Sequence, residues 1–391
     1  MTTLTETTAD ALPAMLTDVE RLVRCESPSA DLAAVARSAD LVAAIGAQRM
    51  GAEPDCIVLE GRSHLRWRWG SGPTRVLLLG HHDTVWPIGS LETHPNTIQD
   101  GVLRGPGCFD MKVGLVMAFH AVAALADKDG LTLLVTGDEE LGSPSSRELI
   151  EAEAAGCAAA LVLEAAADGG AVKTERKGVS LYRVAVLGRA SHAGLEPEAG
   201  INAGIELAHQ VLAVAALSDD ARGTSVTPTV SSAGTASNTV PARAELAVDV
   251  RVRNAQEQAR VDAAMSGLTP VLPGARLEVT GGPNRPPLER SAASALFDRA
   301  AAIARDLGLP TLEQASVGGA SDGNFTAGIG VPTLDGLGAT GGGAHADDEH
   351  VLVADVAGRT ALLAALTAEL LDGPRRSDAP NPGSSSGARR P

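Results

Sequence analysis

Five short segments of this 391-residue chain put a histidine or a carboxylate just past an apolar run or inside a glycine-rich loop. They are GHHDTV (80–85), RGPGCFDMK (104–112), TGDEELGS (136–143), LVLEAAADGG (161–170) and GGGAHADDEH (341–350). Singly, each has a plain explanation: a loop histidine is solvated, and an acidic run is a polar turn. Together they offer imidazole and carboxylate donors, the set typical of a catalytic rather than a structural zinc site. TGDEELGS raises the sharpest question. Asp138, Glu139 and Glu140 follow the apolar LTLLV at 131–135, and three adjacent carboxylates repel one another unless something is held among them.

The surrounding pattern supplies elements to position these segments. Apolar spacing predicts helices over 14–24, 32–50, 112–126 and near 144–155, and strands at RVLLLGHHDTV, LTLLVT and AALVLE. Strands alternating with helices imply a mainly parallel sheet with helices on both faces, an α/β architecture. In such sheets, sites form at the carboxyl ends of strands. After Gly178 the order changes to strand 179–187, helix 201–218, strands 224–232 and 243–252, helix 255–268 and strand 275–281. That is βαββαβ, a ferredoxin-like four-stranded antiparallel sheet with two helices. A helix at 291–307, a strand near 329–334 and a helix at 351–371 resume the first pattern. The expected organisation is therefore a discontinuous catalytic domain, 1–177 and 289–374, with an inserted domain at 178–288. The Pro/Gly/Ser-rich stretch 375–391 is expected to be a disordered tail. The insert carries nine arginines and ten acids, so nearly all of the net charge of −16 lies elsewhere.

The five segments in this order resemble the dizinc aminoacylase/carboxypeptidase family of metallopeptidases. Its members include glutamate carboxypeptidases, aminoacylases, acetylornithine deacetylase and succinyl-diaminopimelate desuccinylase. The matching motifs are GHxDTV at Gly80–Val85, RGPGxxDMK at Arg104–Lys112, the DEE run, the glutamate after the next strand and the late GxxH. GRASHAG (188–194), SNTVPARAELAVDVR (237–251) and NRPP (284–287) point within the family to the glutamate carboxypeptidases. The resemblance implies that Asp110 bridges two metals. It implies that His81 and Glu164 complete the ligands of one, and Glu140 and His345 those of the other. It makes Asp83 the residue that orients His81, Glu139 the general base toward a water between the metals, and His82 a bystander. It also implies a cis Asp110–Met111 peptide. On this assignment two Zn²⁺ are balanced by Asp110, Glu140, Glu164 and a hydroxide, leaving Glu139 the surplus carboxylate that can take a proton. Co²⁺ or Mn²⁺ would suit the same donors. Along an extended chain, Glu139 and Glu140 would point to opposite sides, with Asp138 a supporting acid.

On the substrate side, the resemblance makes His192 a donor to the reacting carbonyl oxygen, reaching across a dimer, with Asn238 beside it. Arg285 and Arg251 match arginines associated with a substrate's C-terminal carboxylate, which a guanidinium fork suits. Ser321 and Asp322 of GGASDG are candidates to line the pocket. His192 and Asn238 lie outside the metal domain, so the insert is expected to act as a lid. The expected function is metal-dependent amide or peptide hydrolysis releasing a C-terminal glutamate-like residue from a small acyl or peptidyl substrate. The alternative is an N-acyl-amino-acid deacylase of a biosynthetic pathway. A non-catalytic relative would be expected to have lost ligands or the base, and all are present. The acidic chain argues against nucleic acid and anionic membranes as partners. The absence of a signal peptide, an apolar span or a CxxC pair suggests a cytoplasmic protein. An apolar face on helix 201–218 (Ile201, Ile205, Leu207, Leu212, Val214) and the free edge of the four-stranded sheet suggest a homodimer.

Overall fold

A computed structural model describes residues 3–373; the expected tail lies outside them. Its central sheet has six strands in the order Asp55–Leu59, Arg62–Arg68, Leu131–Thr136, Val76–His81, Ala159–Val162 and Thr333–Leu334. The last four run parallel to one another, and the first two form an antiparallel hairpin on one edge. Sequence reasoning did not find that hairpin. Asp55–Leu59 has only a four-residue apolar run, Cys56 to Leu59, without alternation, and it is largely exposed on the sheet edge.

Alternation sorts the sheet's side chains to two cores. Val76, Leu78, Leu131, Leu133 and Val135 join the larger one, under helices Leu4–Arg24, Leu32–Met50, Val113–Ala124 and Val353–Asp372. Leu77, Leu79 and Leu134 join a smaller one on the other face, with Ile150, Ala154 and Phe325. Helices therefore cover both faces, as expected. The first helix begins ten residues earlier than its apolar pattern suggests. Thr3 and Glu6 form a reciprocal capping box, and the helix runs on through Pro13.

The insert forms strands Gly178–Leu187, Ser225–Ala233, Arg243–Val252 and Arg276–Arg285, with helices Ala203–Ala215 and Ala255–Ser266. Its antiparallel sheet has a core of its own, including Tyr182, Val184, Leu207, Leu246, Val261 and Met265. The helix face differs from the expected one. Leu207 and Val214 are buried, but Ile205 is 51% and Leu212 71% exposed. The inward positions between them go to Glu206 and Gln210, because Glu206 accepts the amides of Val271 and Leu272.

Part of the Gly/Pro-rich stretch before Asp110 is also ordered. Thr97–Gln99 and Val102–Arg104 join Gly341–Gly342 and His350–Leu352 in a small antiparallel sheet. That sheet brings the loop of His345 to the loop of Asp110. Among the described residues, no helix is long and apolar enough to cross a membrane.

Candidate active site

Three adjacent parallel strands end at the site. His81 closes Val76–His81 and pairs with Thr136; Glu139 and Glu140 follow Leu131–Thr136; Glu164 follows Ala159–Val162. Side chains crowd the strand end here. A Cβ on Gly80 would lie 2.8 Å from Met111 Cε and 2.9 Å from Leu115 Cδ2, so a larger residue would have to push these side-chain ends aside. The Asp110–Met111 peptide is cis, as the resemblance implied.

The side chains converge as two groups of potential metal ligands, His81–Asp110–Glu164 and Asp110–Glu140–His345, with Asp110 common to both. His81 Nε2 lies 3.3 Å from Asp110 Oδ1 and 3.4 Å from Glu164 Oε1. His345 Nε2 lies 3.1 Å from Glu140 Oε2 and 3.4 Å from Asp110 Oδ2. His81 Nε2, Asp110 Oδ1 and Glu140 Oε1 are buried with no hydrogen-bond partner. Unsatisfied buried polar atoms are costly. Here they face one another across gaps that a cation would fill, so the donor set fits two divalent metals.

His81 Nδ1 lies 3.0 Å from the backbone carbonyl of Asp83, an acceptor only, so it carries the proton and leaves Nε2 bare toward the ligand group. The Asp83 carboxylate is 3.4 Å from the same nitrogen. It also accepts from the backbone N–H of Glu139 and Glu140, each at 3.2 Å, and from Ser29 Oγ at 2.6 Å. The backbone carbonyl, rather than the carboxylate, thus sets the His81 tautomer, and the carboxylate pins the acidic run. That pinning corrects one expectation. Glu139–Leu141 is a 3-10 turn, not extended chain. Successive side chains there diverge by about a third of a turn, which still separates Glu139 from Glu140.

His82 is buried with Nδ1 near Ser38 Oγ and Nε2 near Ser63 O, so neither nitrogen is available to a metal. Asp138 takes the backbone N–H and hydroxyl of both Ser145 and Ser146, ahead of helix Arg147–Ala154. The three acids therefore have three environments.

Burial pushes the Glu139 carboxyl well above its usual range, against the pull of Arg285. Burial also raises Glu140. It works to raise Asp110 as well, but the nearby imidazoles of His345 and His81 hold that carboxyl far below its usual value. Its contact with Asp110, then that with Glu140, raises His345 to about 10. The carboxylates thus demand a positive charge at His345, which a proton or a metal ion supplies.

Arg285 enters the site from the end of the insert's last strand. Its Nη2 contacts Glu139 Oε1 at 2.9 Å, Ser143 Oγ at 2.9 Å and Asp322 Oδ1 at 3.1 Å. Its Nε is buried without a partner. Asp322 also bonds Ser143 and Thr136, whereas Ser321 turns to Asp335. Arg251 stays on the insert, paired with Asp249 at 2.8 Å. His192 and Asn238 are exposed neighbours there, since Ala193 donates to the Asn238 carbonyl. Gly194 and Leu195 donate to His192 Nδ1, so its proton sits on Nε2.

Two contributors escaped the sequence reading. Arg176 bridges Glu164, at 3.1 Å, and Asp335, at 2.7 Å. Glu349 binds the loop of Asp110. The only available signal for Glu349 was its place in the His345 segment, and Arg176 carried none.

Residues 77–369 match the sequence profile of peptidase family M20/M25/M40. The chain belongs to this family. The M20 assignment rests also on carboxypeptidase G2 of Pseudomonas sp. (strain RS-16), 30% identical over 384 residues, 94% of this chain and 92% of that one. Succinyl-diaminopimelate desuccinylase 2 of Shewanella loihica is 31% identical over 236 residues, 54% of this chain and 62% of that one. The M20 fold recurs in a solved metallo-carboxypeptidase, Sso-CP2 of Sulfolobus solfataricus. Its TM-score is 0.70 at 17% identity, covering 91% of this chain and 99% of that one. The chain is thus an M20 hydrolase, with carboxypeptidase and desuccinylase relatives.

Proposed function

We propose that this protein is a dizinc amide hydrolase that releases a C-terminal glutamate-like amino acid from an acyl or peptidyl donor. The observation that carries the reading is the pair of ligand groups sharing Asp110, with the buried Glu139 beside them. Two bound divalent cations would polarise the scissile carbonyl and acidify a water. His81, Asp110 and Glu164 would hold one, and Asp110, Glu140 and His345 the other. Glu139 removes the water's proton and passes it to the leaving nitrogen, a role suited to a carboxyl raised by burial. Asp83 fixes the turn that presents Glu139. His192 Nε2–H, with Asn238, supports the carbonyl oxygen once the insert closes as a lid. Arg285, through its unpartnered Nε, and Arg251 recognise the product's carboxylate. The insert, residues 178–288, pairs with a second copy through the edge strand Ser225–Ala233 and the exposed Ile205 and Leu212.

The similarity to a desuccinylase favours a second reading, an N-acyl-amino-acid deacylase. A screen of zinc-loaded protein against dipeptides and N-acyl amino acids separates the two. It varies the C-terminal residue and the acyl group independently, with Glu139→Gln as control. Preferential release of glutamate supports the first reading, and indifference to the released residue favours the second. Absence of turnover across the panel would overturn both.

A further inference from the structure

Glu349 is not a member of either ligand group, yet its carboxylate meets four donors from the segments that carry the candidate ligands. Its side chain is 3% exposed. Oε1 accepts from the backbone N–H of Phe109 at 2.8 Å and of Asp110 at 3.0 Å. Oε2 accepts from the N–H of Gly107 at 2.9 Å and from Trp86 Nε1 at 2.6 Å. Four donors meet one carboxylate, which as an anion has about four acceptor positions, so no oxygen is left for a metal.

The four donors come from two ligand-bearing segments, and Glu349 stands on a third. Gly107–Asp110 is the turn that carries the shared ligand. Trp86 lies three residues after Asp83 and five after His81. Glu349 itself lies four residues after His345, whose loop is held by tight turns from Gly343 to Ala346 and from Ala346 to Glu349. The turn at Gly107 has little slack. Its φ is +70°, and a Cβ there would lie 2.5 Å from Thr84 Cγ2. Trp86 is braced in turn by a tilted ring contact with His94, with centroids 4.8 Å apart.

We propose that Glu349 is the positioning residue of the binuclear site: by tying the Asp110 turn, the segment after His81 and the His345 loop to one carboxylate, it sets the separation of the ligands before any metal binds. The inference rests on the two-metal reading above. It has a signature that a simple staple of one loop lacks. Asp110 is common to both groups, so loosening Glu349 weakens both metal sites together. Replacement of residues that orient metal ligands typically costs 10–100-fold in affinity.

The test is a titration of chelator-stripped, full-length protein with Zn²⁺ in competition with a chelator of known affinity. It compares the wild type with Glu349→Gln, Trp86→Phe and Glu164→Gln. The amide of Glu349→Gln turns a donor toward two of the four donors now bound. Trp86→Phe keeps the carboxylate and removes the indole N–H together with part of the ring. Glu164→Gln removes a ligand of one group and calibrates the loss of a single site. The expected result is two equivalents for the wild type, and a loss of about 10–100-fold at both sites for Glu349→Gln. Trp86→Phe should show a smaller loss, again at both. Unchanged affinities in Glu349→Gln, or loss at one site only, overturn the proposal. Should Glu349→Gln not fold, by circular dichroism of the metal-free form, Trp86→Phe decides on the same criteria. A wild type that takes up fewer than two equivalents instead overturns the two-metal reading, a result distinct from the failure of Glu349's role.

Discussion

Glu139, Glu140 and Asp138 are adjacent in the chain, and their carboxylates have different partners. Glu140 faces His345, Glu139 faces Arg285, and Asp138 is consumed by two serines. If Glu139 is the proton carrier, Glu139→Gln should lower kcat by about 10²–10⁴-fold while zinc content stays at the wild-type level. Steady-state kinetics with metal analysis on the same sample checks this; a lost metal would mean that Glu139 is a ligand instead. Asp138→Ala should act on stability rather than on chemistry. It orphans the amides and hydroxyls of Ser145 and Ser146, and each unsatisfied buried group costs about 1–3 kcal/mol. A fall in chemical-denaturation midpoint with kcat preserved in the folded fraction is the expected outcome. The residue types were legible in TGDEELGS. Their division of labour was not, because Arg285 and Asp322 arrive from 146 and 183 residues further along than Glu139.

At the scale of elements, the strands and helices that carry ligands were the readable ones, since each buries an unbroken apolar run. The elements that aim the ligands were not. The small sheet that joins the Asp110 and His345 loops is built of two- and three-residue strands, too short to show a period. The insert was readable because its strands and amphipathic helices follow in a βαββαβ order; the structure adds asparagine caps, Asn202 and Asn254, at its two helices. One of its helices also supplies a pH test. The Arg260 contact, followed by that of Arg222, depresses Glu257 to about 2. A carboxyl whose folded value is depressed stabilises above its unfolded value, about 4.5, and loses that contribution as pH falls through about 2. The melting-temperature gap between wild type and Glu257→Gln should therefore be widest above pH 4.5 and should close toward pH 2. A gap constant over that range would show that Glu257 titrates normally.

For the whole molecule, the insert contributes to the site unequally. His192 and Asn238 lie exposed on the insert, whereas Arg285, at its base, already touches Glu139. If His192 supports the reacting carbonyl oxygen, His192→Ala should lower kcat by about 10²–10³-fold with zinc occupancy unchanged. An unchanged kcat would remove His192 from the mechanism. If the insert dimerises through its exposed apolar residues, Leu212→Glu should shift the sedimentation coefficient from dimer to monomer across a concentration series. A wild-type chain that sediments as a monomer throughout would refute the dimer.

By itself the sequence picked out the candidate residues, through strand-end position and the resemblance of its motifs to a known family, because both are carried by short local segments. It likewise determined the two layers of architecture, because periodicity is read within each element. Only the tertiary structure decided how those residues are held. The carboxylate of Asp83 folds the acidic run into a turn, Arg285 reaches Glu139 from the insert, and Glu349 gathers the segments of His81, Asp110 and His345 around one buried carboxylate. These contacts satisfy buried polar groups distant in the chain, and no local pattern records where a folded chain must satisfy them.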